Sequence, residues 1–309
     1  MTHRLTTVFF GTHEFAVTIL DALNRASFVT VAHVITQPDR PVGRKRILHP
    51  SPVKVYAKNH DLNILQPDTL KKFTFVEKDI DLVIVAQYGN IIPESLLYFP
   101  KHNTLNVHTS LLPKYRGASP IQHSIMDGNV TTGTTIMCMD KGLDTGPILA
   151  QKAVAIDPDD TYVTLSNTLA DVSAELLLHT IPPYVAGTLA PVPQDSSKAT
   201  LCKQLTRENG KVNWLNTAEQ IYNQYRGLTP WPGIWTTWND TRIKLITVKP
   251  DHATLPLAPG TVHIKDGILY IACKEGSLTI SSLQPEGKAV MTTHAFLQGN
   301  QNIDKTQFL

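Results

Sequence analysis

Cysteine is scarce in this 309-residue chain: there are three, Cys138, Cys202 and Cys273. They lie far apart, with no second cysteine or histidine at ligand spacing, which argues against a structural zinc site and a disulfide framework and fits a reducing cytoplasm. Long apolar runs are missing too. No stretch approaches the roughly 18–20 residues of a membrane span. The opening Met1-Thr2-His3-Arg4 leads into too short an apolar stretch before His13-Glu14 to read as a signal peptide. Charge of one sign is also lacking: 28 Lys and Arg against 26 Asp and Glu leave +2. That near balance excludes a generally polybasic nucleic-acid binder, so any nucleic-acid role must rest on a local patch. Only 17% of residues are charged, against 42% hydrophobic, which is too little charge for disorder and enough apolar material for a real core. A soluble globular chain of two unequal domains is expected, because single domains typically run about 100–200 residues.

Leu5 to Phe10 is β-branched and aromatic, and Gly11-Thr12 then opens a helix-like run from His13 to Leu23 with apolar residues at Phe15, Ile19 and Leu23. Val29–Thr36, Asp81–Gln87 and Thr104–Thr109 read as further strands, the second apolar almost throughout, as a parallel strand covered on both faces requires. With helical stretches at 51–59 and 94–98 between them, the pattern predicts an open α/β sheet of doubly wound type. Two more strands, 134–139 and 148–156, flank a Gly-rich loop, and a helix over 161–178 closes the first domain. Pro182, Pro183, Pro191 and Pro193 mark 181–198 as an extended linker. The expected division is a catalytic domain at 1–188, a linker at 189–206 and a second domain at 207–309. In the second domain a helix around 218–225 precedes five short strands, at 235–238, 243–248, 260–264, 269–272 and 278–283, the pattern of a small OB-like barrel.

Three segments carry candidate chemistry. Asn106 and His108 are two apart on an expected strand, so both project from one face and reach one centre. Taken alone, the pair also suits a loop anchor beside a hydrogen-bonded core histidine. The second segment runs from Ser110 to Ile121, where Pro113, Gly117 and Pro120 force an ordered, non-helical course that presents backbone groups to a planar ligand. It equally suits a strand-to-helix connection capped at Ser119. In the third, Gly142 and Gly146 flank Asp144, a turn residue on its own and something more if it meets Asn106 and His108. Together the three lack a Ser or Cys nucleophile. An Asn to donate to an oxyanion, a His to move or donate a proton, and an Asp to accept one form a set for direct acyl transfer to a substrate amine.

The Asn-x-His strand, Ser-Leu-Leu-Pro-Lys-Tyr-Arg-Gly-Ala-Ser-Pro-Ile and Gly-Leu-Asp-Thr-Gly resemble the 10-formyltetrahydrofolate-dependent formyltransferases. Thr36 to Arg44 followed by Pro50-Ser51-Pro52-Val53-Lys54, and later Leu228 to Gly233 and Leu283 to Lys288, are similar to the branch whose acceptor is methionyl initiator tRNA. The likeness spans nearly the whole chain. It implies a Rossmann-like catalytic domain with a smaller OB-like tRNA-binding domain, acting as a monomer in the cytoplasm, and 10-formyltetrahydrofolate as co-substrate without a metal. It implies a catalytic set of Asn106, His108 and Asp144. Ser110, Leu111, Leu112 and Pro113 would line the folate site, with Gln87, Tyr88, Gly89 and Asp140 at the pterin edge, and Arg40, Arg44, Lys45 and Arg46 would meet the tRNA acceptor stem.

His13, where the family commonly has Pro, and Thr109, where a smaller residue is usual, depart from the pattern, and the basic pair after Arg44 is displaced by one position. Lys203, Arg207, Lys211, Arg226 and Lys244 are further candidates for phosphate contacts, and the four tryptophans, Trp214, Trp231, Trp235 and Trp238, are expected to fill the small core. An acceptor of amino-sugar or glycinamide ribonucleotide type, or hydrolysis of the formyl folate, would use the same catalytic set. A non-catalytic tRNA-binding protein would not need it.

Overall fold

A computed structural model describes residues 4–42, 47–75 and 79–309. The chain divides into two compact units: Met1–Pro120, Thr131–Ala155 and Ser166–Lys203 form the first, and Ile121–Val130, Ile156–Leu165 and Gln204–Leu309 the second.

The first unit is built on a seven-stranded sheet. Its earlier strands are β1 (Leu5–Gly11), β2 (Val29–Ile35), β5 (Ile64–Leu65), β6 (Leu82–Ala86) and β7 (Thr104–His108), and two short strands, β3 (Arg40–Val42) and β4 (Ile47–His49), pair as a separate ribbon. Then come β8 (Arg116–Gly117), β9 (Thr131–Cys138), β10 (Ile148–Ala155) and β11 (Leu201–Cys202). The strand order is β10-β9-β7-β6-β1-β2-β5, with β1, β2, β5, β6 and β7 parallel and β9 antiparallel to both of its neighbours, β7 and β10. The order reverses between β1 and β6, so their carboxyl ends frame the crevice that such sheets use for ligands. Central position explains composition: Val8, Phe9, Phe10 and every residue of β6 are buried, as strands covered on both faces demand.

Helix α1 (Glu14–Arg25) buries Phe15, Ala16, Ile19, Leu20 and Leu23, one stripe at helical spacing. The turn into it needs glycine, because a Cβ at Gly11 would lie 2.5 Å from the Phe9 ring and 2.8 Å from Ala16 Cβ. Helix α2 (Pro52–Asn59) starts as its sequence dictates: Ser51 Oγ accepts from Lys54 N at 3.0 Å and Pro52 occupies the first turn. Two short helices follow, α3 (Glu94–Leu97) and α4 (Pro120–Met126).

Helix α5 (Tyr162–Val185) is longer than the periodicity alone predicted and runs through Pro182 and Pro183. Both prolines lie in its last turn, where only the two bonds to the carbonyls four residues back are lost. The fully buried Leu177 and Ile181 hold that end down. The stretch after it is laid along the same unit: Val192 bridges Ile148, and β11 pairs in parallel with β8.

In the second unit, helix α6 (Ala218–Leu228) is closed at its start by a capping box between Thr217 and Gln220. Strands β12 (Ile234–Trp238), β13 (Thr241–Asp251), β14 (Val262–Lys265), β15 (Ile268–Ala272), β16 (Ser277–Pro285) and β17 (Met291–Thr292) make one sheet, ordered β12-β13-β16-β15-β14 with β17 on β16, and α7 (Thr293–Gln298) follows. Its core gathers Ile221, Leu228, Ile234, Leu245, Ile271 and Leu283. Residues 305–309 bond to both edges of this sheet. Lys305 N donates to Val262 O at 2.9 Å, while Thr237 N donates to Leu309 O and Leu309 N to Thr237 O, each at 2.9 Å.

Three of the four tryptophans take the expected core role: Trp214 and Trp235 are buried and Trp238 half-buried, their indole N–H groups bonded to Thr236 Oγ1, Arg207 O and Thr306 Oγ1. Trp231 departs from that expectation and is 56% exposed, because the Pro230-Trp231-Pro232 turn carries it off the sheet.

Candidate active site

Alternation along β7 sends Leu105 and Val107 into the core and sets Asn106 and His108 on the other face. His108 is buried, and its Nε2 lies 2.9 Å from Tyr115 O. A carbonyl only accepts, so Nε2 carries the hydrogen and Nδ1 is left facing Asp144 Oδ2 at 3.7 Å. Asn106 Nδ2 points at the other carboxylate oxygen, Asp144 Oδ1, at 3.5 Å. The structure thus brings Asn106, His108 and Asp144 together.

Asp144 sits in the left-handed region, φ 52°, in the loop between β9 and β10. Three hydrogen bonds fix it there: Gly117 N donates to Oδ2 at 2.8 Å, and Gln194 Nε2 donates to Asp144 O at 2.9 Å and Gly146 O at 2.7 Å. Gly117 itself lies at φ 126°, and a Cβ on it would come within 2.2 Å of Cys202 O. Asp140 braces the same loop from within, Oδ1 accepting from Gly142 N at 2.9 Å and Thr145 Oγ1 at 2.7 Å.

The segment after β7 is held by its own strand neighbours. Ser110 is fully buried, its Oγ donating to Lys114 O at 2.6 Å while its carbonyl accepts from Thr135 Oγ1 at 2.6 Å. Leu112 N donates to Thr135 Oγ1 at 3.2 Å and Leu112 O accepts from Gln151 Nε2 at 2.8 Å. Leu111 stays half-buried beside Pro113.

At the carboxyl end of β6, Gln87 has φ 43° and Gly89 φ 81°, so successive peptide groups turn in different directions. Tyr88 packs its buried ring on Phe10 at 5.1 Å, and burial pushes its phenol pKa up. Its carbonyl accepts from Thr12 Oγ1 at 2.9 Å and Gln37 Nε2 at 2.7 Å, and Arg40 Nη2 donates in turn to Gln37 Oε1 at 2.5 Å. Exposed apolar side chains, Ile91 at 93% and Leu143 at 64%, rise from the loops after β6 and β9. Peptide edges with apolar side chains beside them suit a flat, heteroaromatic ligand with an apolar body.

Arg44, Lys45 and Arg46 lie outside the described residues. In the second unit Arg226, a candidate phosphate contact, is instead buried, donating to Asp160 O at 2.9 Å and Asn223 Oδ1 at 2.5 Å. Lys211 and Arg242 lie over the Trp235 ring at 5.9 and 4.0 Å.

Sequence reasoning named the segment holding Tyr115 and Gly117 without giving either a role in holding the triad. It passed over Gln194, which stands in a proline-rich stretch that reads as linker.

The family model described as formyl transferase matches residues 4–181, and that described as formyl transferase, C-terminal domain, matches 204–301. The methionyl-tRNA formyltransferase of Halalkalibacterium halodurans is 44% identical over 298 residues, 94% of each chain. That of Enterococcus faecalis is 44% identical over 303 residues, covering 96% of each chain, and that of Staphylococcus aureus 40% identical over 301 residues, again 96% of each. Among solved structures, the N-formyltransferase from Helicobacter canadensis, in complex with folinic acid and dTDP-3-aminofucose, aligns with a TM-score of 0.66 at 20% identity over 89% of this chain and 98% of that one. HypX from Aquifex aeolicus in complex with tetrahydrofolic acid gives 0.66 at 14% identity over 98% of this chain and 49% of that one. At those identities the two structures speak for the fold.

Proposed function

The chain belongs to the formyltransferase family, in its methionyl-tRNA formyltransferase branch, and we propose from that membership that Asn106, His108 and Asp144 carry its chemistry. The reaction transfers the formyl group of 10-formyltetrahydrofolate to the α-amino group of methionyl initiator tRNA, for translation initiation. The observation that carries the site reading is the convergence of Asn106 and His108 on the Asp144 carboxylate, at 3.5 and 3.7 Å.

Bound folate supplies an activated formyl carbon on N10. Gln87, Tyr88, Gly89 and the Asp140 to Asp144 loop offer the peptide edges that would hold its pterin, and Ser110 to Pro113 the wall beside it. Asn106 has two amide N–H groups: one faces Asp144, and the other serves the oxygen on which negative charge develops. The attacking amine must be neutral and sheds a proton as its bond to carbon forms, and the Asp144 carboxylate is the acceptor at hand. His108, its Nε2–H fixed on Tyr115 O, offers Nδ1 to Asp144, and the proton shed by the amine passes through this pair to N10 as the bond between N10 and the formyl carbon breaks and tetrahydrofolate leaves.

On this reading residues 1–188 carry catalysis, 189–206 connect while their first part, through Lys203, packs within the catalytic unit, and 207–309 bind tRNA. Arg40, Arg44, Lys45 and Arg46 meet the acceptor stem. Among the described residues no helix is long and apolar enough to cross a membrane. A monomer working in the cytoplasm, where charged tRNA is used, fits the role.

The test offers the enzyme 10-formyltetrahydrofolate with methionyl initiator tRNA, a dTDP-amino-sugar, or no acceptor. Formyl transfer to the tRNA alone is expected. Transfer to the sugar but not the tRNA, or formate release without any acceptor, would overturn the reading.

A further inference from the structure

Gln194 holds the Asp144 loop by its main chain and is itself held by a buried cation. Its Nε2 donates to the carbonyls of Asp144 and Gly146 at 2.9 and 2.7 Å, and its Oε1 accepts from Arg116 Nε at 3.1 Å and Nη2 at 2.8 Å. Arg116 is 6% exposed. The two ends of the amide are assigned by chemistry: a guanidinium only donates and so faces oxygen, and carbonyls only accept and so face nitrogen. Arg116 therefore fixes which way Gln194 points, and Gln194 supplies both N–H groups to the loop.

The next residue, Gly117, holds the carboxylate of Asp144 with its N–H at 2.8 Å. The dipeptide Arg116-Gly117 thus grips both ends of Asp144, the side chain directly and the main chain through Gln194. An aspartate at φ 52° keeps that conformation only where its surroundings dictate it.

We propose that Gln194, oriented by Arg116, is a positioning residue that sets the Asp144 carboxylate for proton transfer. The proposal rests on Asp144 being the proton acceptor of the reaction. Without the clamp the loop is free to relax from the left-handed turn, carrying the carboxylate off Asn106 and His108. Misplacement by about 1 Å costs up to about a hundredfold in rate. Neither Gln194 nor Arg116 needs to touch substrate for this, so the larger loss belongs in kcat, and only the folate KM, through the loop's peptide edges, follows it.

Gln194→Glu separates the clamp from mere space filling. The isosteric carboxylate keeps its partnership with Arg116 but turns an oxygen toward two carbonyl oxygens, which breaks the hold on the loop. Steady-state kinetics of Gln194→Ala, Gln194→Glu, Asp144→Asn and the Gln194→Glu/Asp144→Asn double variant are read together, with thermal melting of each. Expected are kcat losses of about 10–100-fold for both Gln194 variants, KM for tRNA within about twofold of wild type, a folate KM that rises by less than kcat falls, and a native melting transition for Gln194→Glu. In the Asp144→Asn background, itself severely slowed, Gln194→Glu should add nothing further, because its effect runs through the carboxylate already removed.

A wild-type kcat for Gln194→Glu, an equal loss in both backgrounds, a loss confined to KM, or loss of the native melting transition would each overturn the proposal while leaving the role of Asp144 standing. A wild-type kcat for Asp144→Asn would instead remove the reading beneath it.

Discussion

Asp144 is the residue on which the site turns, and its position depends on atoms remote in sequence: the Gly117 N–H, the Gln194 amide and the faces of Asn106 and His108. Gly117 is the most exacting of these, because only a residue without Cβ fits at φ 126° against Cys202 O, 2.2 Å from where that Cβ would stand. Gly117→Ala should push β8 off β11, withdraw the N–H from the carboxylate, and lower kcat by about 10–100-fold with folate affinity little changed. Parallel kinetics and equilibrium folate titration check this, and a wild-type kcat would contradict it. The pairing of Asn106 with His108 was legible in the sequence, since period two on a strand guarantees a shared face. Asp144 was legible from its own surroundings only as a carboxylate between two glycines, and it was the family resemblance that set it beside Asn106 and His108. Its left-handed turn and the donors that hold it come from tertiary closure, which leaves no local periodicity to read.

Among the elements, the inner parallel strands announced themselves, because burial on both faces writes near-continuous apolar runs into β1 and β6. The β8 and β11 pairing did not: two residues on each side carry no pattern, though this pairing sets Gly117. Proline misled for a physical reason, since Pro182 and Pro183 forbid helix bonds only to the two carbonyls four residues before them, and burial of Leu177 and Ile181 offsets that loss.

Another element-scale tie lies in the second unit. Asp159, in the turn before α5, accepts from Tyr222 Oη of α6 at 2.7 Å and Lys249 Nζ of β13 at 2.6 Å. Those bonds hold its carboxyl below the usual 3.8 and raise the Lys249 ammonium. A lowered folded-state pKa means that the unfolded chain binds the proton first as pH falls. The stabilisation is therefore complete above about 3.8 and is lost as pH falls through the lower folded value. Asp159→Asn should lower the urea midpoint at pH 7, and the gap to wild type should shrink toward pH 3. A gap independent of pH would contradict this assignment.

For the whole molecule, a net charge of only +2 means that RNA contact must rest on a local basic patch, which we propose is the loop of Arg40, Arg44, Lys45 and Arg46. If Arg40, Arg44 and Lys45 each neutralise a phosphate, tRNA affinity falls linearly on a double-logarithmic salt plot. The triple change Arg40→Glu, Arg44→Glu and Lys45→Glu should then flatten the slope by about one unit per lost contact. Affinity for the folate should not follow salt in this way. An unchanged slope in the triple variant would take the loop out of tRNA recognition.

The central claim is that the face shared by Asn106 and His108, turned on Asp144, performs the transfer. Its most direct test is the single-turnover rate of formyl transfer to methionyl initiator tRNA, at saturating 10-formyltetrahydrofolate, for the wild-type enzyme and Asn106→Ala. Loss of the oxyanion donor predicts a fall of about 10²–10³-fold with the tRNA still bound. A rate unchanged from that of the wild type would contradict the account.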